Sequence, residues 1–272
     1  MKSFKYLASF VIVSGLLCIV LVAFRATTAE NTSLQPTRVE RPCTPVGEAV
    51  AVIVVLGQSN AANYGMGRYE ATEAVDNFDP ESGRCFAAID PLLGADGSGS
   101  SFVTRLGDIL VQSGGFKRAI IVSIGVGGAS VSELASTHLN RIENLISKLH
   151  RAGLTPTHFL FEQGETDASQ ATTESQYLTS LTTLVWEFRS AGYLAPFYVA
   201  LATKCDEVHP KNRDVIRRAQ ADAVDNDLNI RRGPDIDMIG NSGRARGYCH
   251  MNERGTLAQA ALWAAFIRRT AN

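Results

Sequence analysis

Residues Ala49–Leu56 read AVAVIVVL, an unbroken apolar run rich in β-branched side chains. Successive residues of a strand point to opposite faces, so a strand that is apolar at every position must be covered on both faces. That is the pattern of a parallel sheet sandwiched between helices. Similar runs recur at Ala119–Ile124, His158–Phe161, Phe197–Leu201 and, more weakly, Ile236–Ile239. The stretches Phe102–Val111, Val131–Ala152, Glu174–Ala191, Arg213–Val224 and Glu253–Arg269 have helical patterning. In the second of these, Leu134, Leu139, Ile142, Leu145, Ile146 and Leu149 form one apolar stripe. Strands alternating with helices predict an α/β protein: a three-layer α/β/α sandwich around a mostly parallel sheet with right-handed crossovers. Neither an internal repeat nor a second domain is legible.

Ahead of this pattern, Lys2 and Lys5 precede an apolar run from Leu7 to Phe24, followed by Arg25 and the small residues Ala26, Thr27, Thr28 and Ala29. Residues 1–29 therefore read as an export signal or an N-terminal membrane anchor. The run exceeds the roughly 7–15 apolar residues of a cleaved signal and nears the lower length of a spanning helix, so both outcomes stand. Leu16 and Leu17 occupy the places where small residues precede a lipidated cysteine, so Cys18 reads as apolar filler. With the lysines held inside, the remainder is directed outward. The expected location is secreted, or extracytoplasmic with membrane contact through this segment alone. Residues 30–47, polar with three prolines, read as a linker, and 48–272 as one domain.

The whole chain carries 26 basic and 27 acidic residues; beyond residue 29 the counts are 23 and 27, a net charge of −4. The basic footprint of a nucleic-acid binder is missing. Cys43, Cys85, Cys205 and Cys249 form an even set, suited to an oxidising compartment. Neither C-x-x-C nor H-E-x-x-H occurs, so the commonest zinc patterns are absent and neither metal nor cofactor is expected.

Ligands of open α/β sheets bind beyond the carboxyl ends of the strands. The first strand ends in Gly57-Gln58-Ser59-Asn60, the second in Gly125-Val126-Gly127-Gly128-Ala129-Ser130, and the third in Glu162-Gln163-Gly164-Glu165-Thr166-Asp167. GQSN reads either as ordinary turn chemistry or as a serine nucleophile at a strand exit; it is not the lipase elbow, because Ala61 replaces the second glycine. GVGGAS mimics a dinucleotide fingerprint, but Ser130 replaces its third glycine and no strand ends in an acid some twenty residues on. Its backbone N–H groups suit an oxyanion instead. QGETD reads as a solvated acidic loop, or as an oxyanion donor at Gln163 with an orienting carboxylate at Glu165. His250 precedes a helix that Asn252 can cap, which puts it on a loop at the last strand's exit, where a general base belongs. His138, His150 and His158 lie in or beside apolar patterns and read as structural; His209, following Asp206 and Glu207, is a weaker candidate.

Taken in order, GQSN, GVGGAS, QGETD and the late CHMNERG resemble the SGNH hydrolase superfamily, in particular its sialate O-acetylesterase-like and acetylxylan-esterase-like carbohydrate esterase branch. AIDPLLG at Ala88–Gly94 is similar to the branch's segment before its first long helix. The resemblance runs from about Val52 to the C-terminus and implies a flavodoxin-like SGNH sheet over residues 48–272. It implies an exported serine esterase that removes O-acetyl groups from acetylated polysaccharide or sialic-acid-type sugars through an acetyl-serine intermediate. Ser59 would be the nucleophile and His250 its base; the Ser59 N–H, the Gly128 N–H and the Gln163 side chain would form the oxyanion hole. The acetylated glycan is the implied partner.

One position departs from the pattern. The superfamily's D-x-x-H acid would stand at 247, where this chain has Gly247. The expectation is a Ser59–His250 dyad with a main-chain carbonyl near Gly247 accepting from the ring, or an acid from another strand end: Asp206, Asp237 or Glu165. Two competing readings are an SGNH esterase or lipase for other acyl esters, and an envelope-tethered glycan-binding module that has lost turnover. Four cysteines allow three pairings. A Cys205–Cys249 bridge would fix the histidine loop, leaving Cys43 with Cys85.

Overall fold

The all-apolar run forms the middle of the sheet. The computed structural model describes residues 36–44, 49–206 and 208–270, the side chains of 269–270 excepted. The expected leader with Cys18, residues 30–35 and 45–47 of the expected linker, and Glu207 lie outside the described residues. In chain order the strands are β1 (Glu40–Arg41), β2 (Val50–Gly57), β3 (Val75–Asp79), β4 (Arg84–Ala87), β5 (Arg118–Ser123), β6 (His158–Glu162), β7 (Phe197–Leu201) and β8 (Ile230–Asp235). The helices are α1 (Phe102–Gln112), α2 (Val131–Leu134), α3 (Leu139–Ala152), α4 (Glu165–Ser169), α5 (Glu174–Ser190), α6 (Pro210–Asp222) and α7 (Glu253–Thr270). Among the described residues no helix is long and apolar enough to cross a membrane.

The strands form one sheet in the order β1-β4-β3-β5-β2-β6-β7-β8. From β3 to β8 every neighbouring pair is parallel; β4 and β1 add an antiparallel margin. Because β2 lies between β5 and β6, the chain builds one half of the sheet after leaving it and then crosses to build the other. The carboxyl end of β2 is thus the topological switch point, where such sheets open a crevice.

Alternation along β2 feeds two cores. Val52, Val54 and Leu56 pack with Ile142 and Leu149 of α3, Tyr177 and Phe188 of α5 and Ile216 of α6. Ala51, Ile53 and Val55 pack on the other face with Phe102 and Leu106 of α1 and Trp263 and Ile267 of α7. This is the expected α/β/α sandwich with a mostly parallel sheet.

Two expectations are corrected. Val131–Ala152 is two helices, broken at Ala135–His138: a Ser130–Glu133 capping box opens the short α2, and the weak helix formers Ser136, Thr137 and His138 separate it from α3. Ile236–Ile239 is not a strand, since Ile236–Met238 form a 3-10 turn. The strand is β8 just before it, an edge whose Arg231 and Arg232 are exposed and whose Pro234 is tolerated because one side has no partner. Strands β3 and β4 (VDNFD and RCFA) also escape the apolar pattern, because they lie toward the other margin.

Candidate active site

β2 ends on Gly57, with φ at +140°, where a Cβ would collide with the Glu162 carbonyl. Only glycine lets β2 lie so close to the end of β6 while the chain turns away. Gln58 N then bonds Glu162 O at 3.1 Å, and Ser59–Ala61 form a 3-10 turn. Ser59 stands at the exit of the central strand with Oγ 3.0 Å from His250 Nε2. Between them and the loop after β5 lies a cleft of about 350 Å³, lined by Gln58, Ser59, Tyr64, Gly128, Thr166 and His250 among others. Gly128, at φ +71°, presents its N–H between two neighbours that are committed elsewhere: Gly127 N to Asp96 Oδ2 and Ala129 N to Val126 O. Among the described residues, neither Gly128 N nor Ser59 N donates to a protein acceptor.

The histidine loop is held by its main chain. Arg244, buried, donates to the carbonyls of Ile236, Ile239, Lys204, Tyr248 and Cys249, the last at 2.9 Å. Asn60 Nδ2 donates to the same Cys249 carbonyl at 3.1 Å and to Glu165 Oε1 at 2.7 Å, tying the loop to the serine turn and to α4. A Cys205–Cys249 disulfide fastens the loop to the segment after β7, and Cys43–Cys85 joins the stretch after β1 to β4. Both expected bridges are present. The Tyr64 ring lies 5.2 Å from the imidazole, centroid to centroid. Burial lowers the pKa of His250, which favours the neutral ring.

None of the expected acids reaches that ring. Asp237 accepts from Thr203 N and Oγ1, Lys204 N and Arg217, so its oxygens are committed to pinning the β7 exit. Asp206 is exposed, and its N–H donates to the Gly247 carbonyl, in the stretch where a main-chain carbonyl was expected to orient the imidazole. Glu165 lines the cleft but spends Oε1 on Asn60, and burial raises its pKa. Among the described residues, His250 Nδ1 has no hydrogen-bond partner.

Gln163 is also displaced from its expected place. It is fully buried and does not line the cleft; its amide nitrogen donates to Asp167 Oδ2, with Gln58 Oε1 and Ala129 O at 3.3 Å. The cause is local: Asp167, one turn on, also accepts from Val131 N and draws the amide inward to join β6 to α2. The other histidines stand apart from Ser59. His158 is half-buried beside Thr157, with its pKa pushed down to about 4 by desolvation. His138 precedes α3, His150 lies within it, and His209 caps α6 through Lys211 N. Arg244, Asn60 and Tyr64 escaped the sequence reading. A lone loop arginine reads as solvated, and only the position of Asn60 within GQSN carried a signal.

No family model matches this chain, and no curated protein matches it in sequence. Solved structures match it in fold. A protein of Arabidopsis thaliana superposes with a TM-score of 0.63 at 12% identity, over 81% of this chain and 98% of that one. A family 3 carbohydrate esterase of Clostridium thermocellum gives 0.53 at 14%, over 81% and 96%. An acetyl-xylooligosaccharide esterase of Geobacillus, carrying a single substitution, gives 0.52 at 13%, over 80% and 94%. At such identities the likeness is one of fold, and it agrees with the mostly parallel α/β sheet expected from the sequence.

Proposed function

We propose that the chain is a serine esterase that removes acetyl groups from the hydroxyls of carbohydrate. The observation that carries the reading is Ser59 Oγ at 3.0 Å from His250 Nε2, at the switch point, beside two unengaged N–H groups. Neutral His250 takes the Ser59 proton as Oγ attacks the ester carbonyl carbon, and the carbonyl π pair moves onto oxygen. The tetrahedral oxyanion is met by Ser59 N and Gly128 N, donors in place before reaction. Its collapse expels the sugar oxygen, which takes the proton from His250 Nε2 and leaves acetyl-Ser59. Water repeats the sequence, with His250 receiving its proton, and acetate leaves.

Carbohydrate as the alcohol is supported from two sides. Two structural neighbours are carbohydrate esterases. The cleft also shares Gln170 with a second groove of about 480 Å³, lined by Ser132, Thr172, Ser175, Gln176 and Thr179 among others, without a charged side chain. Hydroxyls and amides suit a neutral sugar chain better than an anionic sugar, which calls for arginine or lysine. The four bridged cysteines and the leader-like residues 1–29 support action outside the cytoplasm.

The test uses purified protein, p-nitrophenyl acetate and acetylated xylooligosaccharides. Ser59→Ala is expected to lose both activities and covalent labelling by a fluorophosphonate, and His250→Ala to lose at least a thousandfold in kcat. Equal rates in wild type and Ser59→Ala would refute the assignment. A Thr179→Trp change, which fills the groove, is expected to raise KM for the oligosaccharides while leaving p-nitrophenyl acetate unaffected.

A further inference from the structure

An oxyanion flanked by two main-chain N–H groups is commonly completed by a side-chain donor, and Gln163 is committed elsewhere. Gln58 is 3% exposed and lines the cleft next to Ser59. Its Oε1 accepts three N–H groups: Thr166 N at 3.1 Å, Gly164 N at 3.3 Å and Gln163 Nε2 at 3.3 Å. Two of these donors are backbone amides, which cannot accept a hydrogen bond, so they fix which end of the Gln58 amide is oxygen. The other end, Nε2, has no acceptor among the described residues, yet it is not sealed from solvent. Gln58 borders the cleft that holds Ser59 and His250.

Resting on the esterase reading above, we propose that Gln58 Nε2 is the third donor of the oxyanion hole. The N-terminal turn of α4 grips Oε1 and so aims the amide before substrate arrives. The rotamer is fixed by three hydrogen bonds in a buried setting, so the donor does not reorganise as charge develops; such donors contribute most to rate. The arrangement also gives the loop after β6 a task other than the one expected. Gln163 and the amides of Gly164 and Thr166 act on Gln58, and Gln58 acts on the substrate.

The test is Gln58→Glu, which keeps an oxygen for the Gly164, Thr166 and Gln163 donors but replaces the proposed donor with an acceptor. Kinetics with p-nitrophenyl acetate at neutral pH are expected to show kcat down roughly 100- to 1000-fold, the usual loss for one oxyanion donor, with KM little changed. The thermal midpoint should stay near that of wild type, and fluorophosphonate labelling of Ser59 should slow in parallel. Gln58→Met, which removes both ends of the amide, is expected to lower kcat as much and the thermal midpoint as well. Wild-type kcat in Gln58→Glu, or a loss matched by unfolding, would overturn the proposal for Gln58. If Ser59→Ala loses labelling while Gln58→Glu does not slow it, the esterase reading stands and only the third donor is refuted. If Ser59→Ala keeps wild-type turnover, the esterase reading falls and takes this proposal with it.

Discussion

A serine attacks only while its base is unprotonated, so in the proposed mechanism the burial of His250 sets the acid limit of turnover. Desolvation holds its imidazolium below the ordinary 6.5, and among the described residues no carboxylate hydrogen-bonds or ion-pairs with the ring to raise it again. A lowered pKa in a cationic acid means that protonation comes only at lower pH. For p-nitrophenyl acetate, kcat/KM is therefore expected to rise with pH through one midpoint below 6.5 and to be level at neutrality. A midpoint above 6.5 would reveal an anion paired with the ring. At this scale the residues of the proposed catalytic centre were legible: Ser59 and Gly128 follow the exits of β2 and β5, and His250 stands on the loop before α7, where glycine, serine and histidine have few other uses together. The proposed side-chain donor and the clamps were not. Gln163 and Gln58 are both glutamines beside QGE or GQS, and only the competing pull of Asp167 decides which of them turns inward. Arg244 makes all five of its bonds to main-chain carbonyls, which no side-chain pattern announces.

Between elements, the junction of β6 with α7 rests on one carboxyl. Glu162 is fully buried, taking Gln259 Nε2 at 2.7 Å on one oxygen and Trp263 Nε1 at 3.0 Å on the other, donors one turn apart on α7. Burial pushes its pKa up to about 8 from 4.5. An acid whose pKa is raised by folding adds stability while protonated, so its contribution is complete below about 4.5 and lost as pH rises toward 8. Urea unfolding at a series of pH values should show wild-type stability declining across that window. Trp263→Phe keeps the ring against Phe102 but leaves one Glu162 oxygen bare, at an expected cost of about 1–3 kcal/mol. Unchanged stability in that variant would show that the indole bond adds nothing net. Elements covered on both faces were legible because burial leaves few polar residues in them, and those stand at their ends. The marginal strands β3, β4 and β8 were not, because a strand near an edge keeps polar side chains, and the Pro234 of β8 looks like a break.

Across the molecule, Ser59 closes the central strand and His250 comes just before the last helix, 191 positions later, so their contact exists only once the sheet is assembled. Two bridges then close loops of nearly equal length, 42 and 44 residues, each worth about 4 kcal/mol by chain entropy. Equal entropy does not mean equal effect. Replacing Cys43 and Cys85 by alanine is expected to lower the unfolding free energy without changing kcat. Replacing Cys205 and Cys249 is expected to cost similar stability and also roughly 10- to 100-fold in kcat, since a misplaced base attacks poorly. Equal kcat in the two double variants would deny the second bridge any part in placing the base. The overall α/β/α plan was legible because alternating buried strands and amphipathic helices admit few packings; the link between the two ends of the chain is a tertiary matter. Because the histidine loop is fastened by a disulfide, which forms only when two thiols are oxidised, specific activity becomes a readout of electron availability. Refolded in glutathione buffers of graded potential, the protein should recover its circular dichroism at more reducing poise than its turnover. The gap between the two curves would measure how far catalysis depends on the bond beside His250.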